Sequence, residues 1–154
     1  MNLHDAPEHG NEDLPHRRAA ARAPRRGLLS VVIPCHDEEA VIDATHRRLV
    51  EVLPGTGMDF EIIYVDDGSR DGTLARLEAI AAGDPRTEVL ELSRNFGQQS
   101  AMSAGLARAR GDAVVIIDAD LQDPPEVIPE MVERWREGVD VAYGRRRTRA
   151  GESG

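Results

Sequence analysis

The 154-residue sequence predicts an α/β protein with a mostly parallel sheet flanked by helices. Two patterns carry that expectation. Short apolar runs alternate with segments of helical period, the rhythm of strand–helix–strand units. The runs are also near-continuously apolar, as strands covered on both faces are. A third observation concerns the polar residues. Acid-rich clusters follow the apolar runs, at the carboxyl ends of the strands, where open sheets of this class bind ligands.

Taken in order, "LLSVVIP" (28–34) is a buried strand closed by proline. A helix over 38–53 follows, with Val41, Thr45, Leu49 and Val52 along one stripe. "FEIIYV" (60–65) is the second strand, "DDGSRDGT" (66–73) is turn chemistry, and 74–82 is a short helix with Leu74, Leu77 and Ala81 inward. "EVLEL" (88–92) is the third strand. The helix at 97–109 is rich in small residues that permit close approach to a sheet, and Gly111 reads as its stop. "AVVIID" (113–118) is the fourth strand. A helix over 125–138 faces inward through Val127 or Ile128, Met131 and Trp135, with Pro129 making it start late or bend. "VDVAY" (139–143) is read as a fifth strand. Residues 1–27 show neither period and read as a disordered tail; His4, His9 and His16 could bind metal, but their spacing is irregular and a solvated tail is the better reading.

Composition narrows the functional classes. With 40% hydrophobic but only 3% aromatic residues, the core must be aliphatic. No apolar run reaches the roughly 18 residues of a transmembrane helix. The net charge of −9 argues against a general nucleic-acid binder. Cys35 stands alone, so no internal disulfide forms, which fits a reducing compartment.

Asp118-x-Asp120 ends the fourth apolar run. Carboxylates two apart on an extended segment point the same way. They repel unless a cation sits between them or one takes a proton. Mg²⁺ or Mn²⁺ answers that repulsion, since such ions are held by one or two carboxylates plus substrate phosphates. Gln122 offers a neutral oxygen nearby, and Asp123 before Pro124-Pro125 reads as a helix cap. Asp67 is read as a ligand contact; Asp66 is divided between ligand contact and turn-building with Ser69, with Asp71 capping the next helix. Glu38 and Glu39 suit a helix's first turn, Pro34 halts a strand where a planar base could pack, and His36 is either a loop residue or a stacking partner. Cys35 reads as a buried small hydrophobe. Arg94-Asn95-Phe96-Gly97 is either a phosphate-holding helix entrance or a loop paired to an acid. One of Arg145 and Arg146 reads as a diphosphate clamp.

The segments "VVIPCHDEE", "VDDGSRDGT", "LSRNFGQQSAMSAGL", "GDAVVIIDADLQDPPEVIPEMVERWREGVDVAYGRR" and "RAGES" together resemble the family 2 glycosyltransferases. The resemblance is greatest to the polyprenyl-phosphate sugar transferases, those acting on dolichol or undecaprenyl phosphate, and runs from about residue 29 to 153. It implies a GT-A, Rossmann-like fold over 28–148, with 149–154 the start of a missing C-terminal part. It implies that Pro34, His36, Glu38, Val65 and Asp67 line the nucleotide pocket, that Asp118, Ala119, Asp120 and Gln122 match the metal and diphosphate motif with Asp120 and Gln122 as metal ligands, and that Arg146 reaches the donor phosphates. His36 and Asp37 depart from the family's usual residues. The implied reaction is inverting, metal-dependent transfer from a UDP- or GDP-sugar to a polyprenyl phosphate, with Asp118 and Asp120 at its centre. The implied location is cytoplasmic, at the cytoplasmic face of the membrane in a full-length form, with membrane association through C-terminal segments outside this sequence. Two other readings are kept: a non-catalytic nucleotide-binding or receiver-like module, the receiver disfavoured by the absence of lysine, and an Asp-x-Asp phosphotransferase, disfavoured because that family's acid pair follows a first strand.

Overall fold

The computed structural model describes residues 27–142. Eight main elements alternate: β1 (Leu28–Cys35), α1 (Ile42–Val52), β2 (Asp59–Asp66), α2 (Thr73–Gly83), β3 (Thr87–Glu91), α3 (Gln98–Arg108), β4 (Ala113–Ile116) and α4 (Ile128–Arg136). Short 3₁₀ turns at Leu53–Thr56 and Pro125–Val127 extend α1 and precede α4. The strands are all parallel, in the order β3-β2-β1-β4. The chain therefore steps outward from β1 to β3, then returns to the far side of β1. That reversal places a topological switch point between β1 and β4.

The two faces of the sheet are covered unequally. Leu29, Val31, Ile33, Phe60, Ile62 and Tyr64 point to one face, where Ile42 and Leu49 of α1, Leu77 of α2, and Ile128 and Val132 of α4 meet them. Val32, Ile63 and Val65 point to the other and pack under α3 around Ala101. This is the two-residue strand period sorting one apolar run into two cores. β4 is an edge strand that α3 does not cover. Its Val114 and Ile116 remain 39% and 42% exposed, so the expectation that every strand is covered on both faces fails there.

Several local expectations are corrected. The helix expected from residue 38 begins at Ile42, because the Glu38 carbonyl accepts from both Val41 and Ile42 N–H and makes a turn first. Pro34 does not halt β1: it pairs in register with Val65, and Cys35 follows with its carbonyl accepting from Asp67 N–H at 2.8 Å. Gly111 is not the stop of α3, whose C-cap is Ala109. A β-carbon at Gly111 would stand 2.6 Å from Ser30 Oγ and 2.7 Å from the Ala113 carbonyl, so close approach explains that glycine. β4 closes at Ile116 rather than at 118. The N-caps before α4 are Pro124 and Val127, without a side-chain cap, so Asp123 does not cap it. Pro129 does delay α4, sitting in its first turn, where a missing N–H costs nothing. Val139 to Ala142 form no strand, and Tyr143 lies outside the described residues.

The small residues of α3 set how closely it lies on the sheet. A β-carbon at Gly105 would come within 2.3 Å of Val32 Cγ1 and 3.2 Å of Val65 Cγ2. Such overpacking costs about 1–3 kcal/mol. Gly105→Ala is expected to lower the free energy of unfolding by that amount, read from the denaturant midpoint.

A polar bolt closes the lower end of the sheet. The Glu61 carboxylate, 5% exposed, accepts from Ser30 Oγ at 2.6 Å, from Arg110 N–H at 2.8 Å, and from the Arg110 guanidinium at 2.8 and 3.0 Å. These donors hold Glu61 below the usual carboxylate range against the opposing effect of burial. On the covered face, His46 Nδ1 lies 2.9 Å from the Tyr64 hydroxyl and Nε2 lies 3.6 Å from Asp84. Burial pushes the His46 pKa down, partly opposed by the Asp84 charge. A histidine with a depressed folded-state pKa takes up its proton more readily when unfolded. Wild-type stability is expected to fall as pH drops below about 6.5, the unfolded value. His46→Gln is expected to flatten that slope between pH 7 and 5 in denaturant titrations.

Candidate functional site

Loops at the carboxyl ends of all four strands enclose one cavity of about 400 Å³ at the β1/β4 switch point. Pro34 comes from the end of β1, His36 and Glu38 from the loop after it, and Asp67 from the loop after β2. Asp118, Ala119 and Asp120 enter after β4. The structure thus brings together seven of the residues selected from the sequence. It leaves two aside. Val65 is fully buried beneath α3, because strand parity turns it away from the cavity. Gln122 lines a separate apolar groove beside β4 and α4. Arg146 lies outside the described residues.

Glu38 shows what this crowding does electrostatically. Its pKa is raised, first by burial, then by the charges of Asp120 and Asp118. Its backbone N–H donates to Thr73 Oγ1 at 2.8 Å, which ties the β1 loop to the start of α2. Asp37, at φ 52°, strengthens that tie by accepting from Arg70 and Asp71 N–H. Ala119, 1% exposed, is fixed from α1, where Thr45 Oγ1 donates to its carbonyl at 2.6 Å. Its neighbour Asp120 accepts from Gln122 N–H at 3.0 Å, a local Asx turn. Among the described residues no three His, Cys, Asp or Glu side chains form a ready cation cage. A cation held by two carboxylates and completed by substrate phosphates needs no such cage. The charge that raises Glu38 is the charge such an ion would offset, so these residues fit one.

Asp67, 4% exposed, holds a second part of the site. Its Oδ1 accepts from Phe96 N–H at 2.8 Å and its Oδ2 from Gly97 N–H at 2.9 Å. The aspartate read as a ligand contact is therefore also the anchor of the loop entering α3. The loop lies so close that a β-carbon at Gly68 would stand 2.4 Å from the Arg94–Asn95 peptide. The Asp67 carbonyl accepts from His36 Nδ1 at 2.8 Å. A carbonyl only accepts, so Nδ1 carries the hydrogen, while Nε2 lies 3.3 Å from the Asn95 amide and 3.4 Å from an Asp37 carboxylate oxygen. Asp66 builds the turn through Ser69 N–H, and Asp71 accepts from Thr73 without capping α2, whose N-cap is Gly72. Cys35 is 2% exposed with its thiol pKa pushed up by burial, then by Glu38 and Asp66, so it is a packing residue rather than a thiolate.

Asn95 and Gly97, from the loop left open between a phosphate-holding entrance and a pairing with an acid, line the cavity, and sequence reasoning missed Gln98 and Ala101 beside them. Gln98 Nε2 donates to Asp118 Oδ1 at 2.9 Å, across twenty residues. The available signal was positional: polar residues following a third strand at the same sheet edge. Arg94 stacks over Phe96, 4.5 Å from the ring centroid, at the outside of this loop.

The model of glycosyl transferase family 2 matches residues 30–154. The chain belongs to that family. It is 48% identical over 115 residues to an undecaprenyl-phosphate 4-deoxy-4-formamido-L-arabinose transferase of Pseudomonas paraeruginosa, covering 74% of this chain and 34% of that protein. It is 40% identical over 122 residues to the bactoprenol glucosyl transferase of Shigella phage SfV, covering 79% and 40%. Among solved structures it resembles glucosyl-3-phosphoglycerate synthase from Mycobacterium tuberculosis, in complex with Mn²⁺, UDP and phosphoglyceric acid, with TM-score 0.57 and 32% identity over 71% of this chain and 39% of that one. The four-stranded parallel sheet with flanking helices is a GT-A fold. The chain spans about two fifths or less of these proteins' lengths. Membership of a glycosyltransferase family displaces the phosphotransferase and receiver readings.

Because Asp67 anchors the α3 entrance, Asp67→Ala is expected to lower hydrogen-exchange protection of the Phe96 and Gly97 amides. Loss of one such bond per amide corresponds to roughly a tenfold change in protection. Protection in β1 and β2 is expected to change less.

Proposed function

We propose that this chain is the donor-binding part of an inverting, metal-dependent glycosyltransferase that moves a sugar from a UDP- or GDP-sugar to a polyprenyl phosphate. The observation that carries the reading is the convergence of Glu38, Asp67, Asp118 and Asp120 on one cavity at the switch point, with Glu38 raised by burial and its acidic neighbours. The relatives named for bactoprenol and undecaprenyl phosphate support the acceptor class.

In this reading Asp120, with Asp118, holds Mg²⁺ or Mn²⁺. When bound, the ion neutralises the departing diphosphate. Asp67 accepts from the nucleoside with lone pairs that the Phe96 and Gly97 amides leave over, since a carboxylate offers about four acceptor sites. Pro34 and His36 flank the base, and Arg146 reaches the phosphates. A phosphate oxygen of the lipid attacks the anomeric carbon, the bond to the nucleoside diphosphate breaks, and configuration inverts in the single displacement. A phosphate monoester has its second pKa near 6, so the nucleophile is largely ionised at neutral pH and a strong general base is unnecessary. The site works at the cytoplasmic face of the membrane, where the C-terminal segments of a longer form meet the lipid acceptor.

Calorimetry tests the reading. UDP or GDP is expected to bind more tightly with Mn²⁺ than in chelator, and Asp120→Ala is expected to remove the metal-dependent gain, a loss of about 10-fold or more. Nucleotide binding that ignores both Mn²⁺ and this substitution would leave a plain nucleotide-binding module.

A further inference from the structure

We propose that Gln98 is a positioning residue that sets the direction of the Asp118 carboxylate, so that both aspartates of the acid pair face one cation; the inference rests on the reading above. The two acids are oriented by different means. Asp120 is turned locally, by the N–H of Gln122 two residues on. Asp118 accepts a hydrogen bond from Gln98 Nε2, at 2.9 Å, on another element. The peptide between them is itself pinned by Thr45 Oγ1 from the opposite face of the sheet. The acid loop is therefore held from α1 through its backbone and from α3 through its first side chain.

Gln98 is placed to serve this role because its own position is over-determined. It is the first residue of α3. The two amides before that helix are held by Asp67. The helix body is seated on β1 and β2 with Ala101 fully buried and Gly105 against Val32. The seat fixes the point from which the Gln98 side chain reaches Asp118, the support that a metal-oriented carboxylate requires. The arrangement also links two ends of the site: the nucleoside-facing Asp67 fixes the helix whose Gln98 aims the phosphate-facing Asp118.

The test uses the full 154-residue chain, Mn²⁺ and UDP or GDP, in a double-mutant cycle of Gln98→Leu and Asp118→Asn read by calorimetry. Gln98 is exposed, so the leucine variant is expected to keep the wild-type thermal midpoint. Its Mn²⁺-dependent gain in nucleotide affinity is expected to fall about 10-fold, the lower end for groups that orient metal ligands. On the Asp118→Asn background the same change is expected to add little further loss. An unchanged gain in Gln98→Leu, beside a wild type that binds with Mn²⁺, overturns the positioning role alone. Losses that simply add also overturn it, because the effect then does not run through Asp118. A wild type with no metal-dependent binding overturns this inference and the donor-site reading together.

Discussion

Three carboxylates, those of Glu38, Asp118 and Asp120, face one cavity and repel one another, and the rest of the architecture is arranged to withstand that repulsion. Elsewhere the chain satisfies its acids in the ordinary way. Glu61 is bolted to Arg110, Asp84 to Arg86 and Glu126 to Arg48, each with the guanidinium as close neighbour. Those pairs sit below the sheet or on its flanks. At the carboxyl edge, Asp67, Asp118 and Asp120 accept from the Phe96 and Gly97 amides, the Gln98 side-chain amide and the Gln122 N–H, groups that fix direction.

This difference explains why the loops are laced to one another rather than merely to the sheet. Asp37 and Glu39 reach across to the β2 loop, Asp67 reaches to the α3 entrance, and Thr45 reaches to the peptide of Ala119. Each link spans two strand-end loops or a loop and a helix. Opposed charges of one sign would spread loops tethered only at their ends. Cross-links of this kind keep the cavity formed before any ligand arrives.

Much of the frame was legible in the residues. Runs such as "VVIP" and "EIIYV" became β1 and β2 because nothing but burial suits them. Asp118, Ala119 and Asp120 were found from their place after an apolar run. What was not legible depended on long-range geometry. Val65, implied for the nucleotide pocket by the resemblance, is buried under α3 with Val32 and Ala101. Gln122 lines the groove beside β4 and α4 rather than the cavity, a separation that its nearness to Asp120 in the chain does not show. The expected strand at 139–143 had apolar residues but, over the described 139–142, no pairing partner. Gln98 looked like an ordinary helix-surface amide, since its partner lies twenty positions away.

Two residues with side chains occupy left-handed backbone next to the key acids: Asp37 at φ 52° before Glu38, and Leu121 at φ 61° after Asp120. Such conformations cost on the order of 1–2 kcal/mol for residues other than glycine. Glycine at Asp37 would also lose the bonds from Arg70 and Asp71 N–H, but at Leu121 it would relieve that strain while freeing Asp120 to swing. Heat resistance and a sharply aimed carboxylate are thus opposed demands at Leu121. Laboratory selection for thermostability alone would find the relief first and leave a sturdier protein with a blunter binding edge.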